Sequence, residues 1–161
     1  MTVAEYNLSV EEYSDNLYRF VVKNIKDNEK GKDIIQDVYE KLWLKRETVS
    51  YEKVKSYLFT AAHHTMIDAI RKDKRTEGFG EDNFFEPSHS EQYSDLQDVL
   101  HDALDKLPAI QKSVILLRDY EGYDYNEIGK ITNLNESQVK VYIYRARIFL
   151  KNYLGSLENV I

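Results

Sequence analysis

Between positions 136 and 147 the chain gathers Glu136, Ser137, Gln138, Lys140, Val141, Arg145 and Arg147, side chains suited to binding a nucleic acid by contact. An amide such as Gln138 can pair with an adenine edge, Lys140 with guanine, and a Val141 methyl can meet a thymine methyl. Arg145, Arg147, Lys140 and Lys151 can hold phosphates, which positions a helix without reading sequence. Glu136 would sit in the first turn of that helix, where the dipole favours an anion. Lys151 also has the simpler reading of a cation that only solvates the surface.

A second constellation places Tyr57, His63 and His64 ahead of Arg71, Lys72, Lys74 and Arg75. Aromatic faces stack on unpaired bases while cations follow the backbone, so this arrangement suits a single strand. The cationic end also has a structural reading, because a helix C-terminus tolerates positive charge. A third group sets Asp33, Gln36, Asp37 and Glu40 beside Tyr39 and Trp43. A solvated face carries acids too, but aromatics rimmed by charge are what protein-docking surfaces use.

Nothing in the pattern points to catalysis. His63 and His64 diverge by about 100° on a helix, whereas helical metal-ligand pairs sit three or four residues apart. No Ser/His/Asp grouping, Walker loop or metalloprotease motif is present, and Gly78-Phe79-Gly80 lacks the helix a phosphate loop needs. No catalytic residue, metal, cofactor or small-molecule substrate is expected.

The elements that would position these groups are helical. Ser9-Val10-Glu11-Glu12 has the form of a capping box that would start a helix with Leu17, Phe20, Val21 and Ile25 inward. A polar turn is expected over 27–32, a second helix over 33–46 on Ile34, Ile35, Val38 and Leu42, and a third over 51–74. Residues 76–94 hold Gly78, Gly80, Pro87 and the carboxylates Glu77, Glu81, Asp82, Glu86 and Glu91 without a sustained period, so they read as a linker. Leu96, Val99, Leu100, Ala103, Leu104 and Leu107 make the next amphipathic helix, and another runs from Ile110 to a stop at Glu121-Gly122. Residues 124–131 form a short helix, Thr132-Asn133-Leu134-Asn135 a turn with Asn135 as N-cap, and the last helix turns Val139, Ile143, Ala146 and Leu150 to a core. The expectation is an all-α chain: two small helical domains, 1–75 and 95–161, joined by a flexible acidic linker at 76–94, the second domain a helix-turn-helix.

Composition narrows the partners. A net charge of −6 over 161 residues argues against coating nucleic acid by bulk electrostatics, so contact must come from local basic patches. The absence of cysteine excludes disulfides and thiolate metal sites. The N-terminus, with Glu5, Glu11 and Glu12, does not read as a signal peptide, and no apolar run approaches the roughly 20 residues of a membrane span. A cytoplasmic protein without membrane insertion is the expectation.

In this order, the three blocks resemble the extracytoplasmic-function (ECF) group of RNA polymerase sigma factors, over about residues 13–153. Asp33-Ile34-Ile35-Gln36-Asp37-Val38-Tyr39-Glu40-Lys41-Leu42-Trp43 is similar to the helix that docks on the polymerase clamp. Ser56-Tyr57-Leu58-Phe59-Thr60-Ala61-Ala62-His63-His64 through Asp68-Ala69-Ile70-Arg71-Lys72 resembles the helix that reads and melts the −10 element. Leu107-Pro108, Leu116-Leu117-Arg118-Asp119-Tyr120-Glu121-Gly122, Glu127-Ile128, Val139-Lys140 and Arg145-Ala146-Arg147 resemble the −35-reading domain. Three departures stand out: Val141-Tyr142 in place of a small residue and Arg, His64 in place of a common Asn, and Gly129 in place of a frequent Ala, which costs the short helix about 1 kcal/mol.

The resemblance implies a promoter-specificity subunit that binds core polymerase at its clamp and flap regions, with Asp33, Gln36, Asp37, Tyr39, Glu40 and Trp43 at the clamp. It assigns Tyr57, His63, His64, Arg71 and Lys72 to the −10 strand, and Glu136, Ser137, Gln138, Lys140, Val141, Arg145 and Arg147 to −35 DNA. It implies that the acidic linker lies in the polymerase RNA channel and that an anti-sigma factor sequesters the protein. Two other readings of the residues stay open: a stand-alone helix-turn-helix regulator, and a partner-docking protein that never touches DNA.

Overall fold

The computed structural model describes residues 1–76 and 95–158, and among them the chain is all-α. The expected linker, with Glu77, Glu81, Asp82, Glu86 and Glu91, lies outside the described residues apart from Thr76. Helix α1 spans Val3–Ile25, α2 Asn28–Lys45 and α3 Val54–Thr76, the last entered through a 3-10 turn at Tyr51–Lys53. After the undescribed stretch come α4 (Asp95–Asp105), α5 (Ala109–Ile115) with a π-helical extension at Leu116–Tyr120, α6 (Tyr125–Thr132) and α7 (Glu136–Glu158).

Helix α1 begins well before the expected start. Thr2, not Ser9, is its N-cap: the Thr2 hydroxyl accepts from Glu5 N–H at 3.1 Å while Glu5 accepts from Thr2 N–H at 2.8 Å. Ser9 lies inside the helix, fully buried, its hydroxyl donating to the Tyr6 carbonyl at 2.6 Å. The expected turn at 27–32 is also shorter. Lys26 adopts the left-handed conformation (φ 56°) that ends α1, and the Asp27 carboxylate caps α2 through the N–H groups of Glu29 and Lys30.

Helices α1, α2 and α3 form a bundle whose centre is Leu17, Phe20, Val21, Val38, Leu42, Val54, Leu58 and Ala62. Helices α4 to α7 enclose Leu104, Val114, Leu117, Ile128, Ile131, Val139, Ile143 and Ala146, with α7 packed on α4, α5 and α6. These two cores are continuous. Helix α3 packs on α6 as well as on α1 and α2, and Phe59 of α3 lies between Phe20 of α1 (5.6 Å between centroids) and Tyr123 just before α6 (5.3 Å).

Polar contacts rim that seam. The Arg19 guanidinium meets Glu121 at 3.1 Å, Ser113 Oγ donates to Asn24 Oδ1 at 3.1 Å, and Lys23 lies over the Tyr120 ring at 3.6 Å. Lys112 donates to Asp105 at 2.8 Å and to the Asn24 carbonyl at 3.2 Å, and Lys26 pairs with the same aspartate. The π-helical turn, closed by Glu121 N–H on the Leu116 carbonyl at 3.1 Å, brings Glu121 and Tyr123 to the seam. Gly122, at φ 77°, makes the reversal that follows, a backbone state that β-carbons disfavour.

Candidate nucleic-acid interface

Helix α7 presents its readers through a capped start. The Asn135 carboxamide oxygen accepts from Gln138 N–H at 2.8 Å, and Gln138 Oε1 accepts from Asn135 N–H at 3.0 Å. This reciprocal cap satisfies two of the helix's open donors. It also occupies the carbonyl that Gln138 would need for the paired donor and acceptor of an adenine edge. With Val139, Ile143 and Ala146 buried, the opposite face of α7 carries Ser137, Val141, Tyr144, Arg145 and Ile148, all exposed.

The cations of this helix are not equivalent. Arg147 is held by Asp119 at 2.8 Å, and that hydrogen bond, ahead of other causes, raises its pKa, so it braces α7 against the π-helical turn. Lys140 faces Glu136 at 3.8 Å, one turn back, and lies 5.6 Å from the Tyr125 ring centroid. Arg145 projects from the outward face with no ion pair among the described residues. Tyr142, at the position where the expected Arg is missing, is partly buried against the core.

Gly129 has a steric reason that composition does not show. A β-carbon there would come within 2.7 Å of the Leu134 carbonyl oxygen, so the turn between α6 and α7 closes over a residue without one. The Leu134 N–H bonds back to the Gly129 carbonyl at 2.9 Å, which fixes the same approach.

On α3, Tyr57, His64 and Arg71 recur every seven residues and so lie along one side over about 21 Å, with Lys72 beside Arg71. His64, Arg71 and Lys72 are exposed and Tyr57 is half-buried. His63 does not join them. Its ring is 3% exposed, neither nitrogen has a hydrogen-bond partner, and burial first, then His64, pushes its pKa down to about 4. It lies one turn beyond Phe59, on the side of α3 that faces the seam.

The α2 group divides in the same way. Asp33, Gln36, Glu40 and Trp43 are exposed and Asp37 is half-buried, in an ion pair with Lys41 at 3.0 Å. Tyr39 turns inward: its hydroxyl donates to the Ser9 carbonyl at 2.9 Å, and burial raises its pKa. Trp43 packs edge-on against Tyr6 at 5.0 Å and lies under the Arg46 guanidinium at 3.9 Å. Together with Glu40 and Leu44 these two aromatics line a shallow apolar notch. Leu44 is 82% exposed and, like Tyr6 and Tyr144, was not among the expected contacts. The signal for Leu44 lay in its phase, about 200° from the buried Leu42.

Comparison with known proteins agrees with this geometry. Residues 9–76 match the Sigma-70 region 2 family and residues 97–150 match Sigma-70, region 4. The chain is 31% identical over 140 residues to the RNA polymerase sigma factor SigV of Bacillus subtilis (strain 168), covering 85% of this chain and 83% of that protein. The chain belongs to the sigma-70 family. Its ECF character is supported by the ECF RNA polymerase sigma factor SigM of the same organism, 26% identical over 147 residues that cover 86% of this chain and 88% of the relative. The solved structure of the sigma factor RpoE in complex with the anti-sigma factor NepR from Bartonella quintana superposes with a TM-score of 0.80 at 26% identity, over 95% of this chain and 98% of that one. This sigma factor therefore serves promoter-specific transcription initiation. No helix among its described residues is long and apolar enough to cross a membrane.

Proposed function

We propose that this sigma factor works by binding alone, dividing promoter recognition among three helices. The exposed face of α2, with Asp33, Gln36, Asp37, Glu40 and Trp43 and the notch formed by Tyr6 and Leu44, docks on the core polymerase clamp. The α3 stripe of Tyr57, His64, Arg71 and Lys72 holds the opened −10 strand, with aromatic groups toward bases and cations toward phosphates. His63 and Tyr39 support those surfaces from inside. The outward face of α7, led by Ser137, Val141, Tyr144 and Arg145 with Glu136 and Lys140 at its margin, enters the −35 major groove. Arg147 and Gln138 hold that helix in place. The segment 1–75 is the docking and −10 unit, 95–161 the −35 unit, and the acidic linker between them lies in the RNA channel. An anti-sigma factor of the kind seen with the RpoE relative would cover the same surfaces, and the site of action is the cytoplasm.

The observation that carries this reading is the α7 face: opposite a fully buried line of Val139, Ile143 and Ala146 it shows Val141, Tyr144 and Arg145 to solvent. Run-off transcription with core polymerase tests the whole. A specific start is expected with wild type, and the Gln36→Ala/Trp43→Ala variant should keep its helical circular dichroism while losing core affinity. Undiminished core binding by that variant would remove the α2 assignment.

A further inference from the structure

We propose that this chain reads its −35 element chiefly through the C5-methyl groups of thymine, which Val141 and Tyr144 contact in the major groove. The proposal rests on the placing of the outward face of α7 in that groove, and it names what the face recognises there.

The polar side chains of α7 leave little hydrogen-bonding capacity for bases. The Gln138 carbonyl oxygen is engaged by the Asn135 N–H at 3.0 Å, and Arg147 is held by Asp119 at 2.8 Å. Lys140 faces Glu136 at 3.8 Å and the Tyr125 ring at 5.6 Å. Where the sigma-factor pattern carries a small residue and Arg, this chain has Val141 and Tyr142, and Tyr142 is half-buried against the core. The planar fork that pairs with guanine is therefore missing at 142. Ser137 and Arg145 remain outward. A serine hydroxyl discriminates poorly among bases, and a single Arg145 serves one guanine or a phosphate.

What the face offers instead is apolar. Tyr144 is 67% exposed, Val141 43% and Ile148 41%, and they form one stripe along the helix. The thymine methyl is the apolar group that base edges present in the major groove, and small aliphatic and aromatic side chains are its usual partners. Val141 and Tyr144 stand three residues apart, so they are surface neighbours about 4.5 Å apart along the axis. That spacing approaches the roughly 3.4 Å step of duplex DNA, which lets the two side chains meet methyls on neighbouring base pairs. Charge selects DNA over a second copy of this face as the occupant. Two such faces would set Arg145 and Lys140 against like charges, whereas phosphates complement them.

The test uses the full-length chain with core polymerase on a promoter whose −35 element has been mapped. Each thymidine of that element, on either strand, is replaced in turn by deoxyuridine, which removes only the C5-methyl. Burying one methyl is worth about fourfold in affinity. Wild-type holoenzyme should therefore bind about fourfold more weakly at two neighbouring positions, with run-off transcription falling in parallel. Val141→Ser should become indifferent to the methyl at one of them and Tyr144→Ser at the other, each with unchanged helical circular dichroism because both side chains are exposed. An element without A·T pairs, or a wild type indifferent to every deoxyuridine, would overturn the proposal. So would a sensitivity that persists undiminished in both variants, since it would place the effect in the shape of the duplex. Initiation regardless of a scrambled −35 element would instead sink the placing of α7 in the groove.

Discussion

His63 and His64 are adjacent in sequence, and the fold gives them opposite surroundings. His63 is held neutral in an apolar interior with both nitrogens unpartnered, its pKa lowered to about 4 from 6.5. Between those values the unfolded chain takes up a proton that the native chain refuses, so stability falls as pH is lowered through that window. The full effect is on the order of 3 kcal/mol. His63→Val should therefore raise the denaturant midpoint and flatten its decline between pH 6.5 and 4 relative to wild type; an identical pH profile in the variant would mean the ring is not buried as described. Gly129 makes a second residue-scale case. Alanine normally favours a helix by about 1 kcal/mol over glycine, but here the added carbon meets the Leu134 carbonyl. Gly129→Ala should lower the melting temperature. The sequence could not separate the two histidines, because α3 is buried on two sides, against its own bundle and against α6, and its apolar positions do not define a single inward phase.

Some helix boundaries were legible in the sequence, but a side-chain cap did not guarantee it, since Asp27, the cap of α2, falls inside the turn expected over 27–32. Asn135, the turn at 132–135 and the stop at Glu121-Gly122 all lie where sequence chemistry places them. The start of α1 was misplaced because Ser9-Glu12 and Thr2-Glu5 share one spacing, and only the packing of Tyr6 on Tyr39 and Trp43 favours the earlier one. The expectation for Gln138 shows a related limit: the same amide suits an adenine or a cap, and the cap is local. Gln138→Ala and Asn135→Ala should each cost about 1 kcal/mol of stability, and Gln138→Ala should leave the base preference at −35 unchanged in a randomised-promoter selection. A changed preference would return Gln138 to the readers. Arg145→Glu should weaken −35-dependent initiation strongly with little change in melting temperature. By contrast, Arg147→Ala should act mainly through stability, because its partner is Asp119.

At the scale of the whole molecule, periodicity leaves the packing open. Two amphipathic sets separated by an acidic stretch read as two modules without saying whether they touch, and in the structure one core runs through both and ion pairs join residues as distant as Arg19 and Glu121. Such contacts leave no trace in a local pattern, since each partner alone resembles a solvated charge. The fold class and the three helices that carry the candidate surfaces were legible because amphipathic phase and capping are local; the inward turn of Tyr39 and His63 was not, because it depends on neighbours far along the chain. The measurement that bears most directly on the account is reconstituted run-off transcription with core polymerase on a promoter mapped after overexpression. Wild type should produce one start site that disappears when either the −10 or the −35 element is scrambled. A chain that binds core yet initiates no better than core alone, or initiates regardless of both elements, would contradict it.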